Sequence, residues 1–262
     1  MEKLENFCDE ENLECMGKTV DEIEEMINMV MIRELMEFGR KGKNLRIPTE
    51  WLDIIYVVYP TLIKKLSKEC LEPYILEIDL RKKICNPDCN IFMQNNKCYG
   101  KSIIMTKLVD KYANNYRHQV LLFVDIINKT IEYFDSVGDT YGIDILKKYV
   151  DSTEWNIITT LDFCPKNLSP QFRTQDIFCA SWSLLYIYLR SKYQLLPIQD
   201  IWDNLINLST SNLSYTIHGF ILYLIDIIKS WHLDYKYINN IIKKNDDLAM
   251  FSYNIYLSNN LF

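Results

Sequence analysis

The chain has 262 residues, almost half of them hydrophobic, and a formal charge of −6, enough apolar matter to bury roughly 70 to 75% of its unfolded surface. Lys and Arg are scattered, with no dense basic run interleaved with aromatics, so nucleic acid is not expected as a partner. The greasiest stretch, Phe220 to Ile225, stops at Asp226, far short of the ~18 apolar residues of a spanning helix, so no membrane is expected either.

Residues 1–26 hold ten acids against Lys3 and Lys18, a balance of −8. Such a start serves as a docking tail for a basic partner or simply as a solvated helix. From Val20 to about Phe38, Ile23, Met26, Ile27, Val30, Met31 and Leu35 recur every three or four residues, which predicts an amphipathic helix ended by Lys41, Gly42 and Lys43. A second helix is predicted from Thr49 or Glu50 to Val58, interrupted at Pro60, and a third over Thr61 to Lys68.

After Pro73 the texture changes to alternation. Strands are predicted over Tyr74 to Leu80, Ser102 to Lys107, Val120 to Ile126, Thr130 to Asp135 and Trp155 to Phe163, with a short helix over Gly142 to Val150. Beyond Cys179, helical spacing returns with Trp182, Leu185, Tyr186 and Leu189, and two or three helices follow from Ile198 to about Ile241. Helices, then strands, then helices predict an α+β fold with a central, mostly antiparallel sheet. No linker composition cuts the chain, so residues 1–69 read as a helical extension and residues 70–262 as the main domain.

Eight cysteines at uneven spacing, without a secretory apolar segment at the start, predict free thiols and a reducing compartment such as the cytoplasm. The trio Cys85, Cys89 and Cys98, with Cys70 or a histidine as a fourth ligand, has the elements of a zinc site. Its spacing lacks a tight Cys-x2-Cys pair, so free thiols in a loop are expected and neither metal nor cofactor is assigned.

One constellation carries chemistry. Of three histidines, His118 alone enters a predicted strand, in Tyr116-Arg117-His118-Gln119-Val120-Leu121. Asn128-Lys129 supplies a turn, and the return strand Thr130-Ile131-Glu132-Tyr133-Phe134 ends at Asp135. Pairing about Asn128-Lys129 sets Asp135 opposite Leu122, so twist, a bulge or a longer turn must bring the two side chains together. Cys179 ends a polar loop and opens a helix, where unpaired N–H groups favour a thiolate. Those N–H groups, with the side-chain amide of Gln171 or Gln175, are candidate donors to an oxyanion. Thiolate, imidazole and an orienting carboxylate are what nucleophilic acyl chemistry requires.

The order His118, Asp135, Gln171, Cys179 on strand, strand, loop and helix resembles the SUMO-specific proteases and the adenovirus protease, papain-like cysteine peptidases of the adenain type. The likeness covers roughly residues 70 to 195. It is most specific at His118 to Gly138 and at Pro170 to Tyr186, where Cys-x-x-Trp-Ser looks especially like members encoded by large DNA viruses. It implies Cys179 as nucleophile, His118 as general base and acid, Asp135 as orienter, and one of the two glutamines as oxyanion donor, Gln171 being preferred to Gln175 because Pro-Gln opens the loop. It also implies a protein substrate cut after a Gly-Gly-like tail, either a ubiquitin-like protein or a viral precursor, in host cytoplasm or virion. Gln119 departs from the pattern, standing where many relatives carry Trp, and Gln171 and Gln175 lie eight and four residues before Cys179 instead of six or seven. A Cys-dependent acyltransferase of related fold and an inactive module binding a ubiquitin-like protein are the competing readings. Oligomeric state is not legible.

Taken singly, each residue has a structural alternative. His218 and His232 fit apolar helices, Trp182 fits a core anchor, and Asp135 fits a turn.

Overall fold

The computed structural model describes residues 7–11, 13–67, 72–86, 100–110, 116–148 and 154–231. Helix α1 (Val20–Gly42) opens with a capping box in which Thr19 and Glu22 satisfy each other's backbone N–H, and its buried stripe includes Ile23, Ile27, Met31 and Leu35. Helix α2 (Thr49–Leu66) runs straight through Pro60, where a break was predicted. The missing N–H costs one helical bond, but Ile54, Ile55, Val58, Tyr59, Leu62 and Ile63 on both sides of Pro60 are all buried, and that burial holds the two halves in one helix.

A six-stranded sheet follows, in the order β2-β1-β3-β4-β5-β6, from β1 (Glu72–Asp79), β2 (Ile84–Asn86), β3 (Lys101–Asp110), β4 (Tyr116–Asp125), β5 (Thr130–Phe134) and β6 (Asn156–Thr159). The sheet is mixed: β1 with β3 and β5 with β6 are parallel, and the other three pairings antiparallel. The expected long strand Trp155–Phe163 is four residues of β6 followed directly by a helical turn, α4 (Thr160–Phe163), because Asp162 accepts from the backbone N–H and hydroxyl of Thr159. The helix expected over Gly142–Val150 is the single turn α3 (Ile143–Leu146), entered through Gly142 at φ 92°.

Helices α5 (Pro170–Thr174), α6 (Cys179–Lys192), α7 (Ile198–Asn207) and α8 (Thr210–Ser230) complete the described fold; the helix expected as far as Ile241 lies outside the described residues beyond position 231. The main core joins Leu121 and Phe134 of the sheet to Trp182, Leu184 and Leu185 of α6, and the same cluster contains Ile27 of α1 and Ile54 of α2. The helical front is thus packed into the core that carries α6. A second cluster on the opposite sheet face joins Leu76, Leu108, Val120 and Leu122 to Ile143 and Leu146 of α3. Among the described residues, no helix is long and apolar enough to cross a membrane.

Cysteine usage departs from the expectation. Cys8 and Cys15 form a disulfide, and Cys85 is also disulfide-bonded, which removes it as a zinc thiolate; Cys70, Cys89 and Cys98 lie outside the described residues. Spacing alone could not reveal the Cys8–Cys15 pairing, because it depends on Phe7 stacking edge-on against Tyr193 and on Glu11 pairing with Lys192 at 3.1 Å. Closing so short a loop stabilises the fold by about 2–3 kcal/mol in the chain-entropy picture. A Cys8→Ser/Cys15→Ser variant is therefore expected to lose about that much in urea denaturation.

Candidate active site

The hairpin register resolves the mismatch left by the sequence. Asp125 pairs with Thr130 and Leu121 with Phe134, so the turn spans residues 126–129 instead of pivoting on Asn128-Lys129. Asp125 makes the longer turn by accepting both the backbone and side-chain N–H of Asn128, at 3.0 and 2.8 Å, and Lys129 takes the left-handed conformation that closes it. Continuing that register one residue sets Asp135 beside Val120, which shares a strand face with His118. His118 itself lies two residues inside β4.

His118 Nε2 is 2.8 Å from Asp135 Oδ1, and the same ring lines one cavity with Cys179, whose side chain is close enough to raise its basicity. Asp135 is fully buried. Its Oδ1 also accepts the Val137 N–H at 2.8 Å, and its own N–H donates to Thr160 Oγ1 at 2.8 Å. Two donors on Oδ1 and the anchored backbone N–H fix the residue, which keeps Nε2 protonated toward Asp135. The turn behind it is tight: Gly138 has φ +75°, and a Cβ there would lie 2.9 Å from Ser169 Oγ.

Burial alone would make the ring less basic, but hydrogen bonds and charges from Asp135 and Cys179 outweigh it and raise the His118 pKa from 6.5 to about 10. The ring is therefore held as an imidazolium at neutral pH, beside the Cys179 side chain. Cys179, half-buried, is the first residue of α6. Among the described residues the free cysteines are Cys179 and Cys164; Cys164 is fully buried, and burial pushes its thiol up to about 11. Only Cys179 of these two combines access with an imidazole.

Gln171 is buried as a brace. Its Oε1 accepts from Ser136 Oγ at 2.6 Å, its N–H donates to Ser136 O at 2.9 Å, and its Nε2 donates to Asp176 O at 2.9 Å. It ties the turn after Asp135 to the loop before Cys179, and it does not line the cavity around Cys179. Gln175 is exposed in the left-handed conformation that ends α5.

Sequence reading missed Asp176, which looks like an ordinary loop acid. Its Oδ1 accepts the Phe178 N–H at 2.8 Å, and its Oδ2 accepts Thr174 Oγ1 at 2.6 Å and Trp182 Nε1 at 3.1 Å. Trp182, predicted as a core anchor, is fully buried. Asp176 thus sets the angle at which the chain enters α6 and delivers Cys179. Asp176→Ala is expected to lower kcat about 10- to 100-fold through misplacement of the thiol. Asp176→Asn, which keeps an acceptor for the Phe178 N–H but turns its NH2 toward the Trp182 Nε1–H, should restore only part of that loss in the same steady-state assay.

Helix α6 is locked to the sheet at its far end. Glu132 of β5 receives Arg190 Nη2 at 2.7 Å and Tyr186 Oη at 3.0 Å, and Phe134 stacks on Tyr186 at 4.4 Å. His218 lies outside the triad: it packs edge-on against Phe178, and burial lowers its pKa while the charge of Asp176 opposes the shift. His232 lies outside the described residues. No group of three His, Cys, Asp or Glu among the described residues is placed to hold a metal.

No family model matches the chain, and no curated protein matches it. Among solved structures it is similar to the effector protein RavZ (residues 1–487) of Legionella pneumophila, with 14% identity, a TM-score of 0.32, and coverage of 70% of this chain and 67% of that one. A likeness of that size places no residue and assigns no activity. The arrangement of the site, a buried Asp–His pair that shares a cavity with a cysteine at a helix start, rests on its own geometry.

Proposed function

We propose that this protein is a cysteine peptidase that hydrolyses a peptide or isopeptide bond in a protein substrate. The observation that carries the reading is one imidazole bonded to buried Asp135, at 2.8 Å, and facing the same cavity as Cys179 at the first position of a helix. The Cys179 thiolate attacks the scissile carbonyl carbon, and a C–S bond forms. The carbonyl oxygen takes the negative charge, the C–N bond then breaks, and the His118 imidazolium protonates the leaving amine. Water, deprotonated by His118, hydrolyses the thioester and restores the thiol pair.

The oxyanion falls to the N–H groups of the first turn of α6, which have no partner within the helix. The Phe178 N–H is already committed to Asp176. Gln171 enters as the brace between the Asp135 turn and the nucleophile loop, and as a side-chain donor only through the second Nε2 hydrogen that the brace leaves over. By resemblance, the substrate carries a small-residue, Gly-Gly-like tail, as ubiquitin-like proteins and viral precursors do.

The test is a panel of ubiquitin-like proteins bearing C-terminal vinyl or propargyl traps, incubated with the wild type and with Cys179→Ala. An adduct formed by the wild type alone supports the reading and identifies the tail. If no trap reacts and iodoacetamide shows no preference for Cys179 over Cys164, the peptidase reading fails. Selective alkylation of Cys179 without a ubiquitin-like adduct moves the substrate to a viral precursor or to acyl transfer.

A further inference from the structure

The space beside Cys179 has one wall contributed by the helical front of the chain. It is a cavity of about 360 Å³ that touches both Cys179 and His118, and Leu52 and Tyr56 of α2 line it together with Ile177 and Phe178 from the loop entering α6. Leu52 and Tyr56 stand four residues apart, on one face of their helix. Ile54, Ile55, Val58 and Tyr59 are buried in the same core as Trp182 and Leu185 of α6, so the wall is held at a fixed distance from the nucleophile.

Asp53, at the exposed edge of α2, and Ser181 also line the cavity, and two further polar residues are committed elsewhere. Lys107 pairs with Glu77 at 3.4 Å, and buried Gln119 donates to the Val120 carbonyl at 3.3 Å. What faces the space is mainly apolar, and Ile177, two residues before Cys179, remains 72% exposed. A glycine tail needs no side-chain room, whereas this volume falls in the range at which ligand pockets begin. A compact space of that volume is roughly 7–9 Å across, the span of two to three extended residues at ~3.3 Å each.

We propose that Leu52 and Tyr56 of α2, together with Ile177, form a subsite for a large apolar side chain that the substrate polypeptide carries within two residues of the scissile carbonyl. The proposal rests on the peptidase reading and deepens it: the small residue crosses the thiol, and the apolar residue beside it is read by the N-terminal helices. The front of the chain is then a specificity element of the enzyme.

The test uses aza-peptide Michael-acceptor traps with Gly, Ala, Leu or Phe scanned at two positions on each side of the electrophile. The rate of adduct formation at Cys179 is followed by mass spectrometry, with iodoacetamide reporting on the thiol itself. Leu or Phe at one of these positions is expected to outpace Gly by about 10-fold or more. The Leu52→Ala/Tyr56→Ala variant should reduce that ratio to less than about 3, and Leu52→Trp, which fills the cavity without removing bulk from the wall, should bring it to about 1 or below. Equal rates for all traps, or a preference that survives in both variants, overturn the subsite while Cys179 labelling leaves the peptidase reading in place. Absence of both trap adduct and selective iodoacetamide labelling brings down the peptidase reading and the subsite together.

Discussion

Cys179→Ala is expected to lower turnover by about 10⁴-fold or more with the fold intact, since a half-buried thiol at a helix start gives way to a good helix former. His118→Ala should match that loss, and the double variant should be no worse than either single one, because the pair acts as a unit. Stability separates the two. Asp135 is fully buried, and its Oδ2 has no hydrogen-bond partner among the described residues. Removing His118 therefore strands a carboxylate without its counter-charge, at a cost of about 3–5 kcal/mol in urea denaturation. Asp135→Asn keeps the shape of the site but loses the charge that favours imidazolium, so kcat should fall about 10²- to 10⁴-fold. The pH dependence has a definite sign. The fold raises the His118 pKa from 6.5 to about 10, so the pairing contributes its full stability below pH 6.5 and loses it as pH rises through about 10. Turnover, which needs the imidazolium to protonate the leaving amine, should decline over the same alkaline step in the wild type and at lower pH in Asp135→Asn.

The proposed triad was legible as a candidate because its three residue types carry rare chemistry in distinct local contexts: a histidine entering an apolar strand, an acid ending the return strand, and a cysteine between polar loop and apolar helix. Their meeting was not legible, since it depends on a four-residue turn that Asp125 organises through Asn128; a simple two-residue turn pairs the wrong residues. The parallel pairings β1/β3 and β5/β6 join segments far apart in the chain, so no local pattern encodes them. Pro60 misled for the opposite reason: the local rule is sound, and burial on both sides of it is stronger. Asp176 was invisible because its three side-chain partners, Thr174, Phe178 and Trp182, converge only once the loop is folded. The Cys8–Cys15 bridge likewise follows from the docking of residues 7–11 against α6, which composition does not report.

Gly219→Ala is expected to be among the most destabilising single methyl additions in the chain, even though alanine is favoured over glycine within a helix by about 1 kcal/mol. Helices α1 and α8 cross with a glycine from each at the contact. A Cβ on Gly219 would lie 1.8 Å from the Phe38 carbonyl oxygen, and one on Gly42 would lie 2.0 Å from the Tyr215 carbonyl oxygen. Both obstacles are backbone, so no side chain can swing aside and the helices themselves must separate. Separation would open the contacts of Phe38 with Phe220 and Tyr188, whose ring centroids lie 5.5 and 6.1 Å away, and would pull Thr216 Oγ1 off the Leu35 carbonyl it reaches at 3.2 Å. Overpacking that shifts backbone costs more than the usual 1–3 kcal/mol, so the expected loss is about 4 kcal/mol or more, a fall in Tm of roughly 8–16 °C. Gly39→Ala is the matched control: its Cβ would meet only Thr216 Oγ1, at 3.5 Å, and the variant should be as stable as the wild type or up to about 1 kcal/mol more so. If both variants melt together, the close crossing is not what holds α1 to α8. If only Gly219→Ala falls, activity should fall with it, because Tyr188 belongs to α6 and the far end of the nucleophile helix loosens when its aromatic partners withdraw.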